Sequence, residues 1–245
     1  MELHEQEFIS ELTRVFGANG LSSLLSKERC EKFFTLTKRM LEENEKYNLT
    51  AITEPSKIIL NHYADCALVA SLFPKGASII DVGCGAGFPT LPLAIVRDDL
   101  SILAVDSTAK RVNYVEESAR LLGLSGVKTK VIRAEDGAKD PEYRERFDFA
   151  TARAVAELRV LSELCLPFVK VGGKMIAMKG KSAEFELAGA KRAIAILGGK
   201  DARLENLTLT GGDEELTRPV IMIKKATKTP NAYPRAYAQI SKKPL

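Results

Sequence analysis

The sequence predicts an α/β fold, a doubly wound and mostly parallel sheet with one late antiparallel strand, preceded by an N-terminal helical extension. Residues 3–73 place apolar side chains at helical spacing, as in Phe8, Leu12 and Val15. From residue 77 onward, short apolar runs alternate with helical patterns, which is typical of parallel strands joined by crossover helices. A glycine-rich turn follows the first of these runs, at the position where such folds bind ligands.

The alternation defines seven strands, expected at residues 77–82, 101–106, 127–132, 147–152, 174–178, 204–209 and 220–224. Helices are expected from Pro55, where a break at 48–55 ends, and at 91–96, 110–122, 157–166 and 182–197. The pair Gly172-Gly173 is expected to turn into the fifth strand. Residues 1–73 therefore form the helical extension, 74–225 the sheet domain and 226–245 a basic tail.

Composition indicates an ordinary globular chain of 245 residues, with 45% apolar and 28% charged residues and a net charge of +4. No apolar run could span a bilayer, and the acidic N-terminus is unlike a signal peptide, so we expect a cytoplasmic protein without a membrane partner. The four cysteines have no paired spacing, so free thiols and no metal site are expected. A monomer is also expected.

The C-terminal tail is basic, with six Lys and Arg residues and no acid from Lys224 onward. Such a tail could contact phosphates without sequence specificity, or it could be a solvated terminus. Tyr233 and Tyr237 flank Pro234 and Arg235, which favours an ordered or RNA-contacting role.

The glycine-rich turn reads Asp81-Val-Gly-Cys-Gly-Ala-Gly-Phe-Pro89. Its glycines, Gly83, Gly85 and Gly87, alternate, whereas a dinucleotide fingerprint needs its third glycine at the position of Phe88. An NAD site is therefore disfavoured. The pattern resembles the first motif of class I S-adenosylmethionine (SAM) methyltransferases, which have a Rossmann-like sheet, although a purely structural turn is the alternative.

Polar residues follow the other strands, and ligands of such sheets collect at strand carboxyl ends. Asp106 ends the second strand, about 20 residues beyond the glycines, where a carboxylate can accept ribose hydroxyls. Ala134-Glu135-Asp136 follows the third strand and could read an adenine edge, while Arg153 and Lys179 follow the fourth and fifth.

Each of these residues also has a plainer interpretation. Asp106 could cap the following helix, and Glu135 and Asp136 could be surface acids. Arg153 and Lys179 could pair with surface carboxylates, although two cations on one rim favour an anionic substrate. For His62 and Asp65, spaced i and i+3 on a helix, a solvated face or a mutual contact is the favoured interpretation.

Two absences narrow the methyl acceptor. Methyltransferases that act on the amino groups of adenine and cytosine resemble one another in an Asn/Asp-Pro-Pro-Tyr/Phe motif after the fourth strand. This chain has Thr151-Ala-Arg-Ala154 there instead. Pyrimidine C5 methylation needs a cysteine, but Cys165 lies between two leucines and is expected in the core. An acceptor that is already nucleophilic remains.

An ordered set of motifs resembles one family closely. The set comprises Asn48-Leu-Thr50, His62-x-x-Asp65, the glycine turn, Asp106-Ser-x-x-Lys110-Arg111, Arg133-Ala-Glu135, Ala152-Arg-Ala154 and Lys179-Gly180. The chain is similar in these to RsmG (GidB), bacterial guanine-N7 methyltransferases of small-subunit (16S) ribosomal RNA, and its tail is similar to those of Gram-positive members. Cys66 and Thr90 depart from the expected pattern, at positions away from the reacting atoms.

The resemblance implies SAM as cofactor, with S-adenosylhomocysteine as product. It implies that Gly83 and Phe88, in a loop with Gly85, contact SAM, that Ala134 and Glu135 flank its adenosine, and that Arg153 closes the pocket. The implied target is one guanine N7 near the decoding centre, in 16S rRNA or the small subunit.

The N7 lone pair lies in the ring plane, so we expect no general base, and positioning would dominate catalysis. Arg153 and Lys179 are expected to orient RNA phosphate or the guanine O6 edge. Alternatives remain: a class I methyltransferase of another RNA, a protein or a small molecule, or a non-catalytic ribosome- or nucleotide-binding protein on the same scaffold.

Overall fold

The computed structural model describes residues 3–212 and 214–245. Its centre is a seven-stranded sheet in the order β3-β2-β1-β4-β5-β7-β6. The strands are β1 Ser78–Val82, β2 Ser101–Asp106, β3 Val127–Val131, β4 Phe147–Arg153, β5 Val169–Met178, β6 Gly199–Gly211 and β7 Glu214–Lys225. Strands β1 to β5 pair in parallel, whereas β7 is antiparallel to both of its neighbours. The predicted fold class is confirmed, including the late antiparallel strand.

Helices surround this sheet and precede it. The α-helices are α1 Glu5–Ala18, α2 Lys27–Asn44, α3 Pro55–Ile58, α4 Asp65–Leu68, α5 Thr90–Val96, α6 Ala109–Leu121, α7 Ala134–Gly137, α8 Leu158–Cys165, α9 Ala183–Ile196 and α10 Tyr237–Lys242. A π-helical turn, Ile59–Ala64, joins α3 to α4. No helix in the described part of the chain combines the length and apolar character that crossing a membrane requires.

Alternating strand residues build a core on each face of the sheet, because successive side chains of a strand point to opposite faces. Ile79 belongs to the same apolar core as the buried side chains of the N-terminal helices, among them Leu12 and Phe33. Ile80, on the other face, belongs to a second apolar core with residues of α8 and α9, such as Leu161 and Ile194. The helical extension therefore shares a continuous apolar core with one face of the sheet.

The fifth strand differs from its prediction around the glycine pair. Strand β5 already begins at Val169, and the pairing with β4 is irregular between Val169 and Lys174. Gly172 lies inside this irregularity with φ of +93°, a left-handed conformation that glycine adopts without strain. The pair thus forms a bulge within the strand rather than a turn before it.

The basic tail folds back onto the domain. Arg235 forms an ion pair with the fully buried Glu163 of α8, at 2.6 Å between Nη2 and Oε2. Ile240 of α10 is fully buried. Lys225, counted above among the basic tail residues, is also buried and donates to the carbonyl of Leu166 at 2.7 Å. The fully solvated tail is therefore the wrong alternative for these positions.

Candidate functional site

The strand ends converge on a cavity of about 400 Å³, called here the first cavity. Gly83 after β1, Asp106 at the end of β2 and Ala134 and Glu135 after β3 all line it, as predicted side by side from the sequence. Gly83 has φ of +74°, and a Cβ there would lie 2.7 Å from a methyl group of Val155. Only glycine therefore fits where the chain turns into this cavity.

Asp106 is buried at the edge of the first cavity and already holds the turn that follows β2. Its Oδ1 accepts from the backbone N–H of Thr108 at 2.8 Å, and its Oδ2 from that of Gly85 at 3.2 Å. The residue preceding α6 is Thr108, so Asp106 is not the helix cap itself. Each oxygen keeps acceptor capacity for a ligand hydroxyl, because a carboxylate oxygen has two lone pairs.

The two acids after β3 have separate positions. Glu135 is 7% exposed and lines the first cavity, whereas Asp136 is exposed to solvent. The surface interpretation thus holds for Asp136 only. A buried carboxylate at the cavity wall can accept a hydrogen bond from an amino group of a ligand.

Gly85, Phe88 and Arg153 do not line the first cavity, unlike the other predicted cofactor residues. Gly85 supports it through its N–H bond to Asp106. Phe88 is buried, and its ring stacks on that of His62 with 4.3 Å between centroids. The Arg153 guanidinium lies 5.3 Å from the Phe88 ring centroid, within cation–π range.

Arg153 instead lines a neighbouring cavity of about 330 Å³, the second cavity. Ala154 lines both cavities, with a left-handed φ of +55° that is uncommon for a residue other than glycine. The charged and polar side chains of the second cavity are Asn61, His62, Asp65, Arg153, Lys179 and Arg218. The two cavities therefore adjoin at the carboxyl end of β4.

Arg153 is held on several sides. Its Nη1 donates to Asp65 Oδ2 at 2.7 Å and to the carbonyl of Asn61 at 2.9 Å. Its Nη2 donates to His62 Nδ1 at 2.6 Å. A second cation, Arg218 of β7, bonds the other oxygen of Asp65 at 3.0 Å. These bonds tie the helical extension to β4 and β7.

The favoured sequence interpretation of His62 and Asp65 as a solvated face is wrong. They are only 6% and 7% exposed, and both contact Arg153. The regular helix assumed by that interpretation is interrupted by the π turn Ile59–Ala64, a geometry often found at functional sites. Arg218 was missed, since an arginine in a late strand carries no local signal of the distant aspartate that it pairs with.

His62 is held neutral in a defined tautomer. Its Nδ1 lies 2.6 Å from Arg153 Nη2 and 3.1 Å from the Asn61 carbonyl oxygen. Because an arginine N–H can only donate, the shorter contact makes Nδ1 an acceptor, so that Nε2 carries the proton and can donate to the Thr50 hydroxyl at 3.0 Å. Burial and the neighbouring Arg153 charge lower the pKa of His62 from 6.5 to about 4. At neutral pH this ring is therefore an uncharged surface for Phe88 to stack on.

Lys179 is paired with a carboxylate, but with a largely buried one rather than the surface carboxylate of the plainer interpretation. Its Nζ lies 2.6 Å from Oε2 of Glu186 and 2.8 Å from the carbonyl of Ala156. The side chain is 9% exposed and still lines the second cavity. A substrate anion would therefore compete with Glu186 for this ammonium group.

The acid that opens the glycine turn, Asp81, is a buried carboxyl group whose pKa is raised. Asp81 Oδ2 accepts from the Thr90 hydroxyl at 2.6 Å, which gives a role to a threonine that departs from the expected motif. Within the described residues Asp81 Oδ1 has no hydrogen-bond partner. Burial raises the pKa of Asp81 from 3.8 to about 6.

The cysteines are buried free thiols, as the sequence indicated. Burial raises the pKa of Cys165 above its ordinary value, so this thiol is no nucleophile. The described residues contain no group of three His, Cys, Asp or Glu side chains placed to hold a metal ion.

A family model described as GidB, rRNA small subunit methyltransferase G, matches residues 29–216. The chain belongs to this family. The ribosomal RNA small subunit methyltransferase G of Clostridium beijerinckii is 48% identical over 93% of this chain and 95% of its own length. Its counterpart in Acetivibrio thermocellus is 43% identical over 99% of this chain and 100% of its own length. The family resemblance drawn from the motifs is confirmed.

Solved structures of other methyltransferases share the fold. A SAM-dependent O-methyltransferase from Thermotoga maritima superposes with a TM-score of 0.52 and 16% identity, covering 77% of this chain and 72% of its own. The ribosomal protein L11 methylase of Lactobacillus delbrueckii gives 0.50 and 19%, over 68% of this chain and 79% of its own. At such identities the likeness concerns the fold, which is that of class I methyltransferases.

Proposed function

We propose that this chain transfers the methyl group of SAM to N7 of one guanine in small-subunit (16S) rRNA near the decoding centre. Family membership makes it a SAM-dependent rRNA methyltransferase. The proposal adds which base and which atom are methylated, the N7 of one guanine, and which residues form the site. The observation that carries it is the pair of adjoining cavities, one suited to the donor and one to the acceptor.

The first cavity has features that fit the donor. Its volume lies in the range of small-molecule sites. The turn at Gly83 lets backbone approach the amino-acid half, Asp106 can accept from the ribose hydroxyls, and Ala134 and Glu135 can flank the adenine. SAM supplies a methyl group on a sulfonium sulfur, and the residues of this chain have only to bind and orient it.

The second cavity has features that fit a guanine and its phosphates. Arg153 and Arg218 together outweigh the single charge of Asp65, because His62 stays neutral. We assign Arg153 and Lys179 as positioning residues for RNA phosphate or the guanine O6 edge. Phe88 and His62 then act behind Arg153, fixing its plane rather than touching SAM.

The chemistry requires no proton acceptor among these groups. Guanine N7 attacks with an in-plane lone pair, so the residues have to align N7, the methyl carbon and the sulfur and exclude water. A neutral His62 and an Arg153 that three hydrogen bonds hold in place, with N–H groups left for a substrate, give such a fixed environment. RNA shape and unstacked bases would guide recognition more than sequence.

We also propose that the chain acts in the cytoplasm, as a monomer.

The decisive experiment maps N7-methylguanine in small-subunit rRNA from cells with and without the gene. We expect one methylated position to be lost in the deletion strain and restored by the wild-type gene. Unchanged rRNA, with label from tritiated SAM entering another RNA, a protein or a small molecule, would refute the proposed acceptor.

The positioning residues are tested by single-turnover methylation of small subunits. Arg153→Ala and Lys179→Ala are expected to slow methyl transfer at least tenfold while SAM binding stays close to wild type. Lys191→Ala, an exposed lysine outside both cavities, is the matched control. Full single-turnover rates in both variants would remove the assigned role.

A further inference from the structure

The C-terminal segment, residues 226–245, returns to the strand ends and contributes to the wall of the first cavity. Tyr237, the first residue of α10, lines this cavity together with Gly83, Asp106 and Glu135. Tyr237 is 44% exposed, so the ring is accessible to a ligand. The family model ends at residue 216, and this aromatic ring therefore lies outside the part of the chain that the model matches.

The segment is fixed just before Tyr237. The Arg235 guanidinium donates to both oxygens of Glu163, from Nε at 2.9 Å and from Nη2 at 2.6 Å. The backbone N–H of Arg235 donates to the same carboxylate at 2.9 Å. Glu163 is fully buried in α8, so this charge-assisted pairing is well screened from water.

Further contacts on both sides of Tyr237 hold the C-terminal segment against the domain. Upstream, Arg144 donates to the carbonyls of Thr229 at 2.8 Å and Tyr233 at 2.9 Å. Downstream, Ile240 is fully buried in the core shared with α8. Tyr237 thus lies between two fixed points, and placing its ring on a ligand costs little conformational freedom.

The neighbours of α10 indicate which half of the ligand the ring would meet. Helix α10 packs against α8, and α8 also packs against α7, which carries Ala134 and Glu135. Leu164 of α8 lines the first cavity beside them. Tyr237 therefore lines the same cavity as the acid proposed for the adenine, and it does not line the second cavity.

We infer that Tyr237 binds the adenosine half of SAM by stacking on the adenine, so that the C-terminal segment is part of the cofactor site. This rests on the proposed function, which puts SAM in the first cavity. An aromatic ring can stack on the π face of any base, and the loss of such a stack typically weakens binding by about tenfold or more. The ring rather than the hydroxyl carries the interaction.

The test is calorimetric titration of the full-length chain with S-adenosylhomocysteine and with 5′-methylthioadenosine, which lacks the amino-acid half. We expect Tyr237→Ala to raise both dissociation constants about tenfold. Tyr237→Phe should stay within about twofold of wild type, since it keeps the ring. Phe185→Ala is the matched control, because Phe185 is 84% exposed and lies outside the cavity. Hydrogen exchange at residues 236–242 should slow when S-adenosylhomocysteine binds.

Each contrary outcome has a distinct meaning. If wild type binds neither ligand, the proposed function and the inference fail together. If wild type binds both and Tyr237→Ala matches it, only the inference fails. Weakened S-adenosylhomocysteine binding with unchanged methylthioadenosine binding would overturn the assignment to the adenosine half. Slower rRNA methylation with unchanged affinity for both ligands would assign Tyr237 to the RNA instead, which also overturns it.

Discussion

His62 should make the stability of the protein depend on pH in a window where few other side chains titrate. In the unfolded chain its pKa is near 6.5, but in the fold burial and Arg153 lower it to about 4. A lowered pKa on a base means that the unfolded state takes up the proton first. The stability that the neutral ring contributes is therefore present above pH 6.5 and is lost as the pH falls towards 4. His62→Gln removes this titration and keeps a polar side chain.

The magnitude follows from the two pKa values. The difference between 6.5 and about 4 corresponds to about 3 kcal/mol when the whole window is crossed. Between about pH 8 and about pH 5, where most of the unfolded-state uptake has occurred, the linkage relation gives a loss of about 2 kcal/mol. His62 is 6% exposed, so solvent screening reduces this value only slightly.

Urea unfolding of wild type and His62→Gln across this pH range measures the effect. The difference in unfolding free energy between the two proteins should shrink by about 2 kcal/mol from about pH 8 to about pH 5, whatever other groups titrate in both. His4→Gln is the matched control, because His4 is the only other histidine and is exposed. A difference that stays constant within about 0.5 kcal/mol would refute the neutral, buried His62.

Three further substitutions test other parts of the site. Gly83→Ala forces a Cβ into a left-handed turn and onto a valine methyl group, so it should cost about 1–2 kcal/mol of stability and abolish measurable SAM binding by calorimetry. The raised pKa of Asp81 means that its ionisation costs stability as the pH rises. In urea unfolding, Asp81→Asn should therefore gain about 2 kcal/mol relative to wild type from about pH 4 to about pH 7. Arg235→Gln leaves Glu163 buried without its cation and should cost about 3 kcal/mol in the same assay, against under about 0.5 kcal/mol for Arg159→Gln, whose side chain is 40% exposed.

The sheet could be predicted from the sequence because its signals are local. Each strand is a short apolar run next to a turn residue, and the strand-end rule then brings Gly83, Asp106 and Glu135 together without any knowledge of packing. Local signals failed where the backbone departs from the regular element. The glycine pair Gly172-Gly173 predicted a turn before the fifth strand, whereas the structure has a bulge inside β5.

Of the second cavity, the strand-end rule predicted only Arg153 and Lys179, because the other contacts there are long-range. His62 and Asp65 have the spacing of a solvated helix face, and the cations that bury them come from β4 and β7. Nothing in residues 55–68 indicates that the helix will contain a π turn. The position of Tyr237 at the first cavity depends likewise on Glu163, whose sequence neighbours are those of an ordinary helix.

The charge network explains why the helical extension and the sheet act together in the proposed reaction. Asp65 belongs to the extension, and it is paired with Arg153 and Arg218 from two strands. Removing one partner of a buried ion pair is costly, because the remaining charge loses its compensation. Any displacement of the extension would therefore break both pairs and release Arg153 beside the first cavity. A reaction that needs only alignment of a ready lone pair with a methyl group gains from such an arrangement, since the groups that fix its geometry cannot move separately.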